Sequence, residues 1–329
     1  MPARRTASRS DSLHNKFDND QTFTKRLRLP SKPSSISEVF VMVALNLCKQ
    51  IVFFSPQLRI LVYCVCLFAI SGIADVLTMP KFFSSDFLNQ YFVKLGWFWT
   101  LFVSIPFVFM TSYTYCAGKS HLLWKHFARL AIATFFWYFW VNFFLYFENM
   151  TGHCVDRKEL KSKIACMKAG SRWRGFDLSG HAFILIYSNL VLIEEARPIL
   201  GWEGIADIIE KEDHSRANDL NTHTPLRGFS GSQFDDLRLF YEKFLPYVRL
   251  NFALIACLII TWDYMLLSTI MYFHSMPEKL LSGLIAIFIW FITYEGVYKW
   301  FDLLPGKGAF VYVQPKPENI AFNRRQSLS

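Results

Sequence analysis

Apolar residues in this chain gather into long runs, not into stripes alternating with polar positions. A helix needs about 20 apolar residues to cross the hydrocarbon of a bilayer. Six stretches reach or approach that length. They are residues 59–78 (RILVYCVCLFAISGIADVLT), 95–116, 127–147, a run from Leu178 to Ile193 stopped by EEARP, 247–273 and 280–301. Pro106 predicts a kink in the second. Upstream, residues 36–57 are apolar but interrupted by Glu38, Asn46 and Lys49. That mixture predicts an amphipathic, interfacial helix rather than a seventh span. The expected fold is all-α: a polytopic membrane protein with six transmembrane helices over residues 58–302. Polar tails, 1–35 and 303–329, flank that domain, and two longer loops, 149–177 and 198–245, interrupt it.

Composition strengthens this reading. Of 329 residues, 53% are hydrophobic and 18% aromatic. A soluble domain has no use for 34 Phe and 10 Trp. The net charge of +9 lies mostly in tails and loops, which argues against nucleic acid as a partner. The opening stretch, MPARRTASRSDSLHNK, has no apolar segment beside its basic residues and predicts a cytosolic tail, not a cleaved signal.

Lysine and arginine set the orientation, since basic residues favour the cytosolic side. The N-terminal tail, the Lys119/Lys125/Arg129 connection, the loop 198–245 and the C-terminal tail fall on one face if there are six spans. The loop 149–177 breaks the rule. It carries Arg157, Lys158, Lys161, Lys163, Lys168, Arg172 and Arg174 on the opposite face. Either it serves an anionic ligand or it is an exception to a statistical rule. Of the 7 Cys, Cys154 and Cys166 alone share this loop, and in an oxidising lumen they can pair.

Ionisable groups within membrane segments are candidates for function. His181 opens the fourth span and His274 closes the fifth. Six-span parity puts both at one depth on the face of the basic loop. Two imidazoles titrating near neutrality can divide acid and base work, or nucleophile and acid. Around His181, the stretch DLSGH supplies Gly180, Ser179 and a helix start. Amides at a helix N-terminus suit a phosphate, whereas Ser179 is equally suited to capping the helix. Asp177 is placed to orient His181 or to attract an arginine. Glu278, four residues past His274, can orient it if Pro277 does not break the helix. Asp263, within the fifth span, reads as one end of an interhelical hydrogen bond. There is no phosphate-binding glycine loop and no Cys/His metal spacing, so neither a cofactor nor a metal is expected. His121 and His126, in HLLWKH, are poorly spaced for a shared helix face and are expected at the cytosolic interface.

The segments FDLSGHAFIL, MYFHSMPEKLLSG, YFVKLGWFWTL and ENMTGHC together resemble the fat storage-inducing transmembrane proteins, over most of residues 58–302. The resemblance implies an endoplasmic reticulum membrane protein with six spans, both termini cytosolic, a lumen-facing site and a role in lipid droplet formation. It implies hydrolysis of the diphosphate bond of fatty acyl-CoA to acyl 4'-phosphopantetheine and adenosine 3',5'-bisphosphate. The catalytic histidines fall on His181, as acid, and His274, as nucleophile, by distant similarity to lipid phosphatases. The chain departs from those phosphatases in three places. Leu190 stands where their lysine precedes Arg197-Pro198, Leu178 replaces the proline of their PSGH motif, and Leu267-Ser268 replaces a Ser-Arg pair. With that clamp missing, the lumenal Lys168, Arg172 and Arg174 are expected to hold the phosphates. Two rival readings follow from the same residues. One is a non-enzymatic carrier of diacylglycerol or triacylglycerol; the other is a phosphatidate phosphatase. Oligomeric state is not readable.

Overall fold

A computed structural model describes residues 36–77, 92–116, 118, 120–156, 159–160, 162–218 and 224–301. Both expected tails lie outside the described residues, as do Lys119, Arg157, Lys158 and Lys161. The elements, in chain order, are α1 (Ile36–Val52), α2 (Pro56–Val76), α3 (Gly96–Tyr115), α4 (Ser120–Thr151), β1 (His153–Cys154) and α5 (Lys163–Lys168). They continue with β2 (Trp173–Arg174), α6 (Gly180–Glu195), α7 (Gly204–Ala217), α8 (Gly231–Tyr272) and α9 (Met276–Trp300). The fold is all-α, and five described helices (α2, α3, the Leu123–Thr151 part of α4, α8 and α9) are long and apolar enough to cross a membrane.

The fourth expected span is α6, with 16 residues, about 24 Å of helix. That is shorter than a hydrocarbon core of about 30 Å. Every residue from Ala182 to Glu195 is buried, because α6 runs through the middle of the bundle and packs on α9, α8, α3 and α4. A helix that is apolar all round is an inside helix. The outer helices instead expose Phe98, Phe102, Phe135, Phe139 and Phe288, as lipid-facing surfaces do.

Two expectations change. The loop 198–245 is largely helical. It contains a 3-10 turn (Arg197–Leu200), α7 and the start of α8, and Trp202, Ile205, Ile209 and Leu237 join the core. The helix that carries the fifth expected span begins well before residue 247, because α8 is one helix of 42 residues, about 63 Å long. A Ser230/Gln233 capping box starts it, and Pro246 sits within it without ending it. Neighbour-free reading stops a helix at charged residues such as Asp235, Asp236 and Arg238. Here Asp235 and Asp236 are exposed, and Arg238 forms ion pairs with Asp213 and Glu242. Pro106 likewise lies inside an unbroken α3.

Segment 36–57 resolves into α1 and a turn. Leu45 and Val52 pack inward while Phe40, Met42, Val43 and Leu47 face out.

Several charged groups inside the bundle are paired. Asp263 of α8 accepts from Tyr63 (2.7 Å), Asn189 (2.7 Å) and Arg59 (3.1 Å). Arg129 of α4 meets Glu195 of α6 through two hydrogen bonds, with both side chains 2% exposed. His126 is buried beside Arg129 and Cys116, and the side chain of His121 lies outside the described set.

Candidate active site

α6 begins where α8 ends, at the same end of the bundle as the loop 149–177. Ser179 is the N-cap of α6, and its Oγ accepts from the Ala182 amide at 3.2 Å. Ser179 is fully buried, so its hydroxyl is spent on the helix and does not reach a ligand. The cap turns the chain so that His181 sits in the first turn. Its amide and that of Gly180 precede any carbonyl partner in the helix.

His274 occupies a break. Tyr272 ends α8, Phe273 is extended, His274 adopts φ 55°, and Ser275 is the N-cap of α9. A left-handed backbone costs a residue with a Cβ about 1–2 kcal/mol, so surrounding contacts must hold it there. Ser275 and Glu278 form a capping box. Glu278 accepts from the Ser275 amide (2.8 Å) and hydroxyl (2.7 Å) with Oε2, and from the Asp177 amide (3.0 Å) with Oε1. Helical continuity between His274 and Glu278, which the sequence left open, is absent. The Glu278 carboxylate still comes within 3.9 Å of His274 Nδ1 by folding back over the cap.

Asp177 differs from the simplest expectation: its carboxylate meets His274, not His181, with Oδ2 3.7 Å from Nδ1. Burial raises its pKa above the ordinary carboxylate range. Nearby Glu148 and Glu278 add to that rise, and His274 opposes it. The His181 ring lies 6.4 Å from that of Phe273, the residue before His274.

One cavity of about 460 Å³ takes in both histidines. Gly180, Asp177 and Lys94 complete its polar side, and Trp137, Val141, Phe144 and Leu145 of α4 its apolar wall. The histidines are 93 residues apart and meet because α6 and α8 run in opposite directions.

The basic loop is pinned in place. Cys154 and Cys166 form a disulfide. β1 pairs with β2, and the Thr151 hydroxyl accepts from the Phe176 amide at 3.2 Å. Two glycines permit the close packing. A Cβ on Gly175 would lie 2.7 Å from the Glu148 carbonyl, and one on Gly152 would collide with the Trp173 indole. Lys163 is paired with Glu148 (2.6 Å).

The expected phosphate-holding trio does not reach this cavity. Lys168, Arg172 and Arg174 are exposed, and none lines it. The cation that does line it, Lys94, was missed by the sequence reading. It sits in YFVKLGW just before α3, at the same end of the bundle, and a lysine at a span end reads as an ordinary interfacial residue. Among the described residues, no hydrogen-bond or ion-pair partner occupies it. No group of three or more potential metal-ligating side chains occurs among the described residues.

Comparisons with known proteins agree with this architecture. The family model for the fat storage-inducing transmembrane protein matches residues 82–294. Acyl-coenzyme A diphosphatase FITM2 of Drosophila melanogaster is 44% identical over 310 residues, covering 92% of this chain and 73% of that one. The proteins of the same name from Xenopus tropicalis (31% identical, 66% of this chain, 71% of that one) and Homo sapiens (29%, 63% and 68%) align over shorter stretches. No solved structure matches. The chain belongs to the fat storage-inducing transmembrane protein family.

Proposed function

We propose that this protein hydrolyses the diphosphate bond of fatty acyl-CoA in the endoplasmic reticulum membrane, with both termini cytosolic and the site facing the lumen. The observation that carries the reading is the pair of imidazoles on one cavity, one of them backed by a carboxylate. The names of the relatives supply the substrate class. The disulfide and the distribution of basic residues support the lumenal placement.

Asp177 beside Nδ1 favours the His274 tautomer that keeps the proton there, leaving the Nε2 lone pair for attack. His274 Nε2 attacks one phosphorus of the diphosphate, a P–N bond forms, and the bridging P–O bond breaks. His181 gives its proton to the leaving phosphate oxygen. Water then attacks the phosphohistidine and returns a proton to His181, and the P–N bond breaks. Acyl 4'-phosphopantetheine and adenosine 3',5'-bisphosphate leave. Lys94 and the free amides at the start of α6 face the non-bridging oxygens. The aromatic wall of α4 accommodates the apolar part of the substrate.

The test uses the purified protein in detergent with oleoyl-CoA, products being followed by mass spectrometry. Acyl phosphopantetheine from the wild type, and none from His181→Ala or His274→Ala, is expected. Folded wild type that leaves oleoyl-CoA intact overturns the proposal. So does undiminished cleavage by either variant.

A further inference from the structure

Breaking a helix between α8 and α9 leaves carbonyls unpaired at the end of one and amides unpaired at the start of the other. Two charged side chains outside the cavity meet these groups. Lys279, in α9 and only 1% exposed, donates from Nζ to the Ile270 carbonyl in the last turns of α8 at 2.8 Å. Asp75, at the end of α2, accepts from the Met276 amide, the first of α9, at 2.7 Å. Its other oxygen lies 3.6 Å from Lys279 Nζ. The cation thus caps a helix C-terminus and the anion a helix N-terminus. Each carries the sign that the local dipole favours, and the two are paired with each other.

The capping box cannot replace this arrangement. Glu278 ties Ser275 to α9 and reaches Asp177, but it leaves the end of α8 untouched. Lys279 ties α8 to α9 across the break, and Asp75 ties the break to α2. A buried ammonium is costly unless paired, so its presence under a catalytic turn needs an explanation. His274, the residue between the two tied ends, has the left-handed backbone.

We propose that Asp75 and Lys279 are positioning residues that hold the α8–α9 break, and with it the left-handed His274, so that the imidazole faces the cavity. This rests on the reading of His274 as the nucleophile.

The experiment compares full-length wild type, Lys279→Met, Lys279→Arg and the double variant Asp75→Asn/Lys279→Met in detergent. Activity on oleoyl-CoA is measured together with diethylpyrocarbonate labelling of His274 and His181, resolved by mass spectrometry. Lys279→Met is expected to lower kcat roughly ten- to a hundredfold, the scale of a small misplacement of a reacting group. KM should stay within about twofold, because no group on the substrate is lost. Labelling of His274 should change several-fold while that of His181 does not. Lys279→Arg should recover much of kcat, since it restores the donor and the charge. The double variant leaves no buried charge alone, so it keeps the test open if Lys279→Met fails to fold. It too should show altered His274 labelling. Folded variants with wild-type kcat and wild-type His274 labelling overturn the proposal, as does an effect confined to KM. If the wild type does not cleave oleoyl-CoA, the catalytic reading fails, whereas the labelling still decides whether the pair positions His274.

Discussion

Lys94 and the trio Lys168, Arg172 and Arg174 differ in place, not in chemistry. A charged hydrogen bond to a phosphate contributes about 1.5–3 kcal/mol. Lys94→Ala is therefore expected to lower kcat/KM for oleoyl-CoA by roughly tenfold or more. Alanine at any one of the other three should leave it within about twofold, and steady-state kinetics on the four variants checks this. On the proposed reading, Asp177 supplies a pH dependence. Its raised pKa means that the carboxylate is lost at a higher pH than an ordinary aspartate as the solution is acidified. The folded protein takes up that proton earlier than the unfolded chain, so acidification does not cost stability at this group. It costs orientation of His274. The acid limb of the kcat/KM profile should thus contain Asp177. Asp177→Asn should lower kcat by roughly 10²- to 10⁴-fold and remove the contribution of Asp177 to the acid limb. A profile measured between about pH 5 and 9 that keeps the same acid limb in Asp177→Asn would show that the carboxylate does not act through His274.

At the scale of elements, α3, α4, α8 and α9 pack on α6, and its polar residues are where it is vulnerable. Glu195 accepts from Arg129 and also from Tyr294 at 2.9 Å. Removing one partner of a buried pair leaves the other charge alone, which costs about 3–5 kcal/mol. Glu195→Ala is accordingly expected to lower the midpoint of thermal unfolding in detergent well below that of the wild type. Arg129→Met/Glu195→Leu should recover much of the loss. An unchanged midpoint in Glu195→Ala would mean that Arg129 finds another partner. The length of α8 belongs to the same scale. Its first turns are charged; a Ser230/Gln233 capping box starts them, and Arg238 there meets Asp213 and Glu242. A hydropathy pattern marks where a chain turns apolar, and it took that point for the start of the helix.

At the scale of the whole molecule, the loop 149–177 joins α4 to α6. The Cys154–Cys166 bond closes a short loop, a constraint worth about 3 kcal/mol on the chain-entropy account, and that loop carries the chain onward to Asp177 and Ser179. Cys154→Ser/Cys166→Ser should keep the helical content seen by circular dichroism while lowering kcat, because Asp177 loses its fixed approach to His274. Equal activity with and without the bond would confine its role to stability. Much of this architecture was legible along the chain. Long apolar runs have one stable solution in hydrocarbon, a helix with its backbone bonds satisfied internally. Their alternating directions then carried His181 and His274 to one end without further information. Cysteine count and placement singled out Cys154 and Cys166 for the same reason: they share a segment. What remained hidden depends on direction rather than position. Whether Asp177 faces His181 or His274, whether Lys94 or Arg174 lines the cavity, and how Lys279 reaches Ile270 across a break are settled by how helices cross and where a turn points its side chains. Those angles come from packing among residues far apart in the chain, where neither period nor composition leaves a trace.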